Sequence, residues 1–384
     1  MTDMLGAVRD LQLERLERSP EQAVDPAAFD NFQKVAAIRP DDKVLLLIDK
    51  TLDPRVVRFL WEYARGRGAS VQAIMAERAG SATFPEEAKP LIESATILLT
   101  TWFSTSVDPY FLGLRKNLGQ RYVKLTYFRS LDLMQSESAK FPVELISLLI
   151  RKTAEKFPRD SDVTVDITDP RGSHLNVTMD SGVVDRLLSQ SRWRGAMSAD
   201  HPGAYVHWIP THGPNFWDFS TVDEDFKNIN GVLVPAMSVG FAEVFDVPPK
   251  ITIENNVVTN VDAHSAAALD LAEMVQGGKI IEIGCGFNPK HPRYQIYPAG
   301  SNSAGAIHIG LNLVKDADKI DMLMPDWPEP PEHIDLVFLD MTVTVNGQVA
   351  LKDGRLAAID DKEVRQAASR YGSPSYLLEQ WPDL

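Results

Sequence analysis

KVLLLIDKTLDPRVVRFLWEYARGRG, residues 43–68, decides the class of the first part of this chain. Val44 to Ile48 form an unbroken apolar run of strand length, as expected of a strand buried on both faces. In the residues that follow, Val56, Val57, Leu60, Trp61 and Ala64 recur at helical spacing, and Gly66 stands near the helix end. Strand then helix repeats outward from there. SVQAIMAE (70–77), SATILLT (94–100) and YVKLTYF (122–128) read as further strands, and PVELISLLIRKTAEKF (142–157) as a helix leading to a boundary near PRDSD. This is the pattern of an open, mostly parallel α/β sheet. No GxGxxG or GxxxxGK[ST] follows any of these strands, so no nucleotide site is assigned.

Beyond residue 160 the texture changes. DVTVDITD, HLNVTMD, AYVHWIP, GVLVPAM and KITIENNVVTNVD are short strands split by turn residues, the last a hairpin turning at Asn255-Asn256. KIIEIGCG, GAIHIGLN, HIDLVFLDMTVTVNGQV and ALKDGRLAAID continue the series, and only residues 262–276 read as clearly helical. The tail, SRYGSPSYLLEQWPDL, carries no clear period. The expected architecture is an N-terminal open α/β domain (1–160) joined to a mainly antiparallel, β-rich, metal-binding domain (161–384).

Composition narrows the function. At 384 residues two domains are the default, and 44% apolar with 24% charged residues is ordinary for a globular protein. Lys plus Arg number 39 against 53 Asp plus Glu, a net charge of −14, which argues against nucleic acid as a partner. No apolar run is long enough to span a membrane, and the N-terminus lacks a signal-peptide pattern, so the expected address is cytoplasmic. The single cysteine, Cys285, excludes an intrachain disulfide and a cysteine-based zinc site.

Chemistry is concentrated in three C-terminal strands. In EHIDLVFLD (332–340), His333 and Asp335 are two apart and therefore leave one face of a strand, about 7 Å apart at Cα. Glu282 in KIIEIGCG shares a face with Ile280 and Gly284, while His308 in GAIHIGLN lies between Ala306 and Gly310. Small neighbours leave room for a ligand, and the branched opposite face anchors each strand. Read singly, the HxD pair can be incidental and His308 a satisfied core histidine. A buried, unpaired Glu282 is harder to dismiss. The two imidazoles and two carboxylates together suit zinc, manganese, cobalt or iron rather than calcium. Glu243, in GFAEVFDVPPKITI, is a fifth candidate, and further carboxylates would let one bridge two ions.

The remaining candidates carry less. HWIPTHGPNFWDF (207–219), framed by His207 and His212, could line a substrate pocket or be a surface loop with an apolar anchor. His264 reads as exposed, His174 as lying near the pocket mouth, and Cys285 as a buried bystander.

AEVFDVPP (242–249), IEIGCGFNP (281–289), AGAIHIGLN (304–312) and HIDLVF (333–338) together resemble the ordered motifs of the aminopeptidase T family, dinuclear metallo-aminopeptidases that include thermophilic leucyl aminopeptidases. The likeness is motif-specific over roughly residues 231–340. It implies an N-terminal α/β domain, a C-terminal metal-bearing domain and a homodimer. Its metal ligands fall on Glu243, Glu282, His308, His333 and Asp335, with Glu243 or Glu282 moving the proton. There are two departures: Lys315 stands where the family has a tyrosine, with Tyr294 and Tyr297 as substitutes, and the stretch from Glu243 to Glu282 is shorter. The chain also resembles, more distantly, the 2,5-dihydroxypyridine 5,6-dioxygenases, which bind one iron(II) through two histidines and an aspartate and have histidine where this chain has Glu282. The expectation is a metallohydrolase with two divalent ions acting on an amide, peptide or related C–N bond of a small molecule or short peptide. The alternative is a mononuclear iron(II) dioxygenase cleaving a hydroxylated (hetero)aromatic ring.

Overall fold

A computed structural model describes residues 18–77, 86–102, 104–125, 129–190, 192–207, 212–218, 229–238, 245–293, 303–314 and 333–380. The chain separates into two compact units, Met1–Val143 with Met197–Pro210, and most of the remainder. Among the described residues, no helix is long and apolar enough to cross a membrane.

The first unit is built on a five-stranded parallel sheet of β1 (Lys43–Asp49), β2 (Ser70–Ala76), β3 (Ile97–Thr100), β4 (Arg121–Lys124) and β7 (Tyr205–His207), in the order β2-β1-β3-β4-β7. All four pairings are parallel. In β1 every residue after Lys43 is buried, as the apolar run required. The helix Pro54–Gly66 follows because Asp53 accepts a hydrogen bond from Arg55 N at 2.8 Å and Pro54 presets the first helical φ. The helix is closed by Gly68 rather than Gly66. Gly68 takes φ +86°, letting Ala69 N donate back to Ala64 O at 3.1 Å.

One strand changes place. AYVH is expected in the antiparallel half, yet β7 pairs parallel with β4. Three residues carry no period that names a partner, so only the tertiary fold assigns it. Of YVKLTYF, Tyr122–Lys124 lie in β4 and residues 126–128 lie outside the described set.

The second unit holds two antiparallel sheets. The larger runs β12-β11-β9-β6-β5-β16-β17-β18. Its strands are β5 (Val163–Thr168), β6 (His174–Met179), β9 (Ile229–Leu233), β11 (Lys250–Glu254), β12 (Val257–Asp262), β16 (Thr342–Val345), β17 (Gln348–Lys352) and β18 (Arg355–Leu356). Val163, Val165 and Ile167 alternate with more exposed residues, the mark of a strand packed on one face. The smaller sheet runs β10-β15-β14-β13-β8. It consists of β8 (His212–Asp218), β10 (Met237–Ser238), β13 (Ile280–Gly286), β14 (Ile307–Asn312) and β15 (His333–Phe338), and every pairing in it is antiparallel. The fold is therefore α/β joined to a β-rich part.

Helices Ser181–Ser189, Lys362–Ala368 and Pro374–Leu378 accompany Ala266–Val275, where only the last was expected. The first had a readable signal: Asp180 caps Val183 N at 2.9 Å, and Val183, Val184, Leu187 and Leu188 are its buried residues at helical spacing.

The hairpin β11–β12 turns at Asn255 and Asn256, both left-handed (φ +48° and +62°), as a two-residue loop demands. Asn256 also reaches the smaller sheet. Its Nδ2 donates to Ile280 O at 3.0 Å and its Oδ1 accepts from Ile280 N at 3.1 Å. An Asn256→Gly variant keeps the turn and removes both bonds. We expect it to lower stability by about 1–3 kcal/mol, because two buried backbone groups lose partners. Denaturant unfolding measures this, and unchanged stability would refute the pinning role.

Candidate metal centre

The site grows out of strand register. Glu282 on β13 pairs with Gly310 on β14, and Gly310 pairs in turn with Asp335 on β15. One step along, Gly284 pairs with His308; at the other end of β14, Asn312 pairs with His333. Since residues two apart share a face, Glu282, His308, His333 and Asp335 all project from one side of the three strands. On the other side Ile283, Cys285, Ile307, Ile309, Leu311, Ile334, Leu336 and Phe338 are buried and hold the wall rigid. The strict alternation expected at the start of β13 fails at one point. Ile280 pairs with Leu311, so an extra residue is inserted before Glu282, and Ile280 joins the apolar side rather than sharing Glu282's. The Asn256 clamp holds the chain at that irregularity. Ser238 Oγ donates to Asp335 O at 3.1 Å and ties β10 to β15 beside the cluster.

The functional atoms converge. Glu282 Oε1 lies 3.5 Å from His308 Nε2 and 3.4 Å from His333 Nε2, and His333 Nε2 lies 3.4 Å from Asp335 Oδ1. One donor atom each from Glu282, His308 and Asp335 all fall within 4.8 Å of one another, the spacing of a metal-ligand set. His308 is deeply buried at 1% side-chain exposure, whereas Glu282 (15%), His333 and Asp335 (21% each) retain access from outside. Asp335 Oδ1 is buried, with His333 Nε2 facing it.

Electrostatics explains how such a cluster persists. Burial alone would raise both carboxyls, but the hydrogen bond and charge of His333 outweigh it. Glu282 is held below the usual carboxylate range, and Asp335 is lowered to about 2. Burial would likewise lower His333, but its hydrogen bonds to Asp335 and Glu282 and their charges raise it well above its ordinary value. Two ionised carboxylates this close need a cation between them. Without an ion the His333 imidazolium serves, and a divalent metal meets the same demand with a donor set of suitable chemistry.

Glu243, Lys315, Tyr294 and Tyr297 lie outside the described residues, as do residues 208–211 and 219 of HWIPTHGPNFWDF; its His212–Asp218 part is not a loop but strand β8, paired with β13. His207 ends β7 in the first unit, its ring edge-on to Tyr205 at 5.4 Å. His264 is exposed and pairs with Asp262 at 3.0 Å. His174 begins β6 in the larger sheet. Cys285 is on the apolar side, where burial pushes its thiol up and keeps it protonated, as a bystander would be. Gly310 and Asn256 were both visible in the sequence, as a small residue and a turn residue. Their places against Glu282 and Ile280 were not.

No protein-family model matches the chain, and no curated protein matches it. Solved structures do. A 2,5-dihydroxypyridine dioxygenase from Pseudomonas putida KT2440 superposes with a TM-score of 0.60 at 16% identity, covering 91% of this chain and all (100%) of that one. AmpT from Thermus thermophilus superposes with a TM-score of 0.48 at 11% identity, covering 88% of this chain and 99% of that one. At 16% identity the likeness to the dioxygenase is a distant one, of fold alone.

Proposed function

We propose that this protein is a metal-dependent hydrolase that cleaves an amide, peptide or related C–N bond of a small molecule or short peptide. The observation that carries the reading is the place of Glu282, whose carboxylate stands between the imidazoles of His308 and His333 with Asp335 beside them. Glu282, His308, His333 and Asp335 would hold the metal, and the motif resemblance adds Glu243 and a second ion. A divalent ion held there supplies a water of near-neutral pKa and polarises a carbonyl. The chain's own groups do the rest. His308, fixed in the wall, anchors the set, while the more accessible carboxylates and His333 face the substrate side. In hydrolysis a water oxygen bonds to the carbonyl carbon and the C–N bond breaks. Glu282 or Glu243 takes the water's proton and delivers it to the leaving amine.

A second reading is a mononuclear iron(II) dioxygenase cleaving a hydroxylated (hetero)aromatic ring. His308, His333 and Asp335 favour it, since two histidines and one carboxylate are the ligand types of such sites.

Metal content per chain, measured on protein purified without oxygen or chelators, tests both. The hydrolase predicts close to two zinc, manganese or cobalt ions and turnover of amino-acid anilides or simple amides. One iron per chain, with oxygen uptake on hydroxylated aromatics and no amide cleavage, would replace it with the second reading. Under either, chelation is expected to lower the melting temperature, because metal at 100 times its Kd stabilises the fold by about 2.7 kcal/mol.

A further inference from the structure

Three polar side chains of the first unit meet where its parallel sheet ends. β3, β4 and β7 are neighbours there, and open α/β sheets bind their ligands beyond the carboxyl ends of the strands. Lys124 is the last residue of β4, opposite Thr100 on β3 and His207 on β7. Tyr205 pairs with Tyr122, two residues before Lys124, so Lys124 and Tyr205 share one face of the sheet. Ser106 comes from the single helical turn Ser104–Val107 that follows β3. Trp102 holds that turn in place. Its N donates to Thr100 Oγ1 and its Nε1 to Ile48 O, both at 2.9 Å, and its O accepts from Thr105 Oγ1 at 2.6 Å.

The three groups form one chain of hydrogen bonds. Lys124 Nζ donates to Ser106 Oγ and to Trp102 O, each at 3.2 Å, and Ser106 Oγ lies 2.7 Å from Tyr205 Oη. An ammonium only donates, so Ser106 accepts from it. One hydroxyl hydrogen then serves the Ser106–Tyr205 bond, and the second is there for a further acceptor. Lys124 is only 3% exposed, whereas Ser106 and Tyr205 are half-buried, so the cation is fixed inside and the hydroxyls meet what enters. The Arg115 guanidinium brings a second cation against the same phenol, 5.0 Å from the Tyr205 ring centre. Ser104 Oγ, buried two residues before Ser106, has no hydrogen-bond partner among the described residues.

We propose that Lys124, Ser106 and Tyr205 form a binding site for an oxyanion, the carboxylate or phosphate group of a small molecule. A fixed ammonium beside two hydroxyls offers such a group both charge and directed donors. Strand pairing and the Trp102 bonds set all three before it arrives. Every group involved belongs to the first unit, so the site stands whether or not the metal centre does.

Fluorine NMR of the full chain carrying ring-fluorinated tyrosine tests this, in chelator so that no metal-held anion contributes. The resonance missing from Tyr205→Phe belongs to Tyr205. Sodium phosphate or sodium acetate then replaces sodium chloride at constant ionic strength. The Tyr205 resonance is expected to shift saturably, and the anion that binds more tightly names the ligand's group. Lys124→Met should weaken that anion about 10- to 100-fold, because a charged hydrogen bond is lost, and Ser106→Ala about 2- to 10-fold. A wild type with no saturable shift in either anion would overturn the proposal, as would unchanged affinity in Lys124→Met. Should Lys124→Met fail to fold, Ser106→Ala decides alone, and unchanged affinity there overturns it.

Discussion

Replacing Asp335 with alanine is expected to weaken divalent-metal binding at least about 100-fold and to abolish turnover while leaving the fold intact. Changes in groups that merely orient metal ligands lower affinity about 10- to 100-fold, so loss of a ligand should exceed that range. The fold should survive because Asp335's side chain is partly accessible, while its strand is held by pairing with β14 and by Ser238. The substitution also acts on its neighbour. Asp335 is one of two carboxylates that keep His333 protonated, and without it His333 falls toward its ordinary pKa. The ligand set also keeps one carboxylate instead of two and so attracts a cation less. Isothermal titration with zinc or manganese, alongside amide hydrolysis, measures both effects. Full activity in this variant would end the metallohydrolase reading.

The second large effect lies in the first unit, far in sequence from the Glu282, His308, His333 and Asp335 cluster. Arg121 and Asp42 form an ion pair with side chains only 5% and 6% exposed. Arg121 also donates to Ala199 O at 2.8 Å and Ala37 O at 3.1 Å, and Asp42 accepts from Arg39 N at 2.6 Å and Thr96 Oγ1 at 2.8 Å. Arg121→Met leaves the Asp42 charge buried without its counter-ion and should destabilise the unit by about 3–5 kcal/mol. Adding Asp42→Asn removes the stranded charge and should recover much of the loss.

The pair also has a definite pH signature. Burial would raise the Asp42 carboxyl, but hydrogen bonds from Arg121, Arg39 and Thr96 and the Arg121 charge hold it below its ordinary 3.8. A carboxyl depressed in the folded state contributes stability that is complete above 3.8 and is lost as pH falls through the lowered value. Asp49, paired with Arg129 at 2.7 Å, is lowered in the same way and adds in the same direction. Urea unfolding of wild type and Arg121→Met from pH 7 down to pH 2 should therefore show a gap that narrows only in the acid range. A gap constant across that range would refute the assignment.

Much of the site's layout is legible in short stretches of sequence. The two-residue spacing of His333 and Asp335, and the isoleucines flanking Glu282 and His308, announce strands with one polar and one apolar face, because side chains alternate along a strand. Bringing the three strands side by side needed tertiary pairing: Glu282 is opposite Gly310 only because β13 and β15 both flank β14. The extra residue between Ile280 and Glu282 broke the alternation, since local sequence does not encode where a strand bulges. For the same reason Asn256 could be recognised as a turn former but not as the clamp on that bulge.

By itself the sequence determined what depends on near neighbours. This includes the buried β1 strand, the helix that follows Asp53-Pro54, the Asn255-Asn256 hairpin and the residue types offered on each strand face. Each rests on φ preference, capping or side-chain period, which act over a few residues. Only the tertiary structure decided what depends on contacts between distant segments. β7 joined the parallel sheet, an Asp42–Arg121 pair formed across 79 positions of sequence, and Gly310 was set against Glu282. Such contacts are selected by the burial of whole faces and the pairing of whole strand edges, and no single stretch of this chain carries that information.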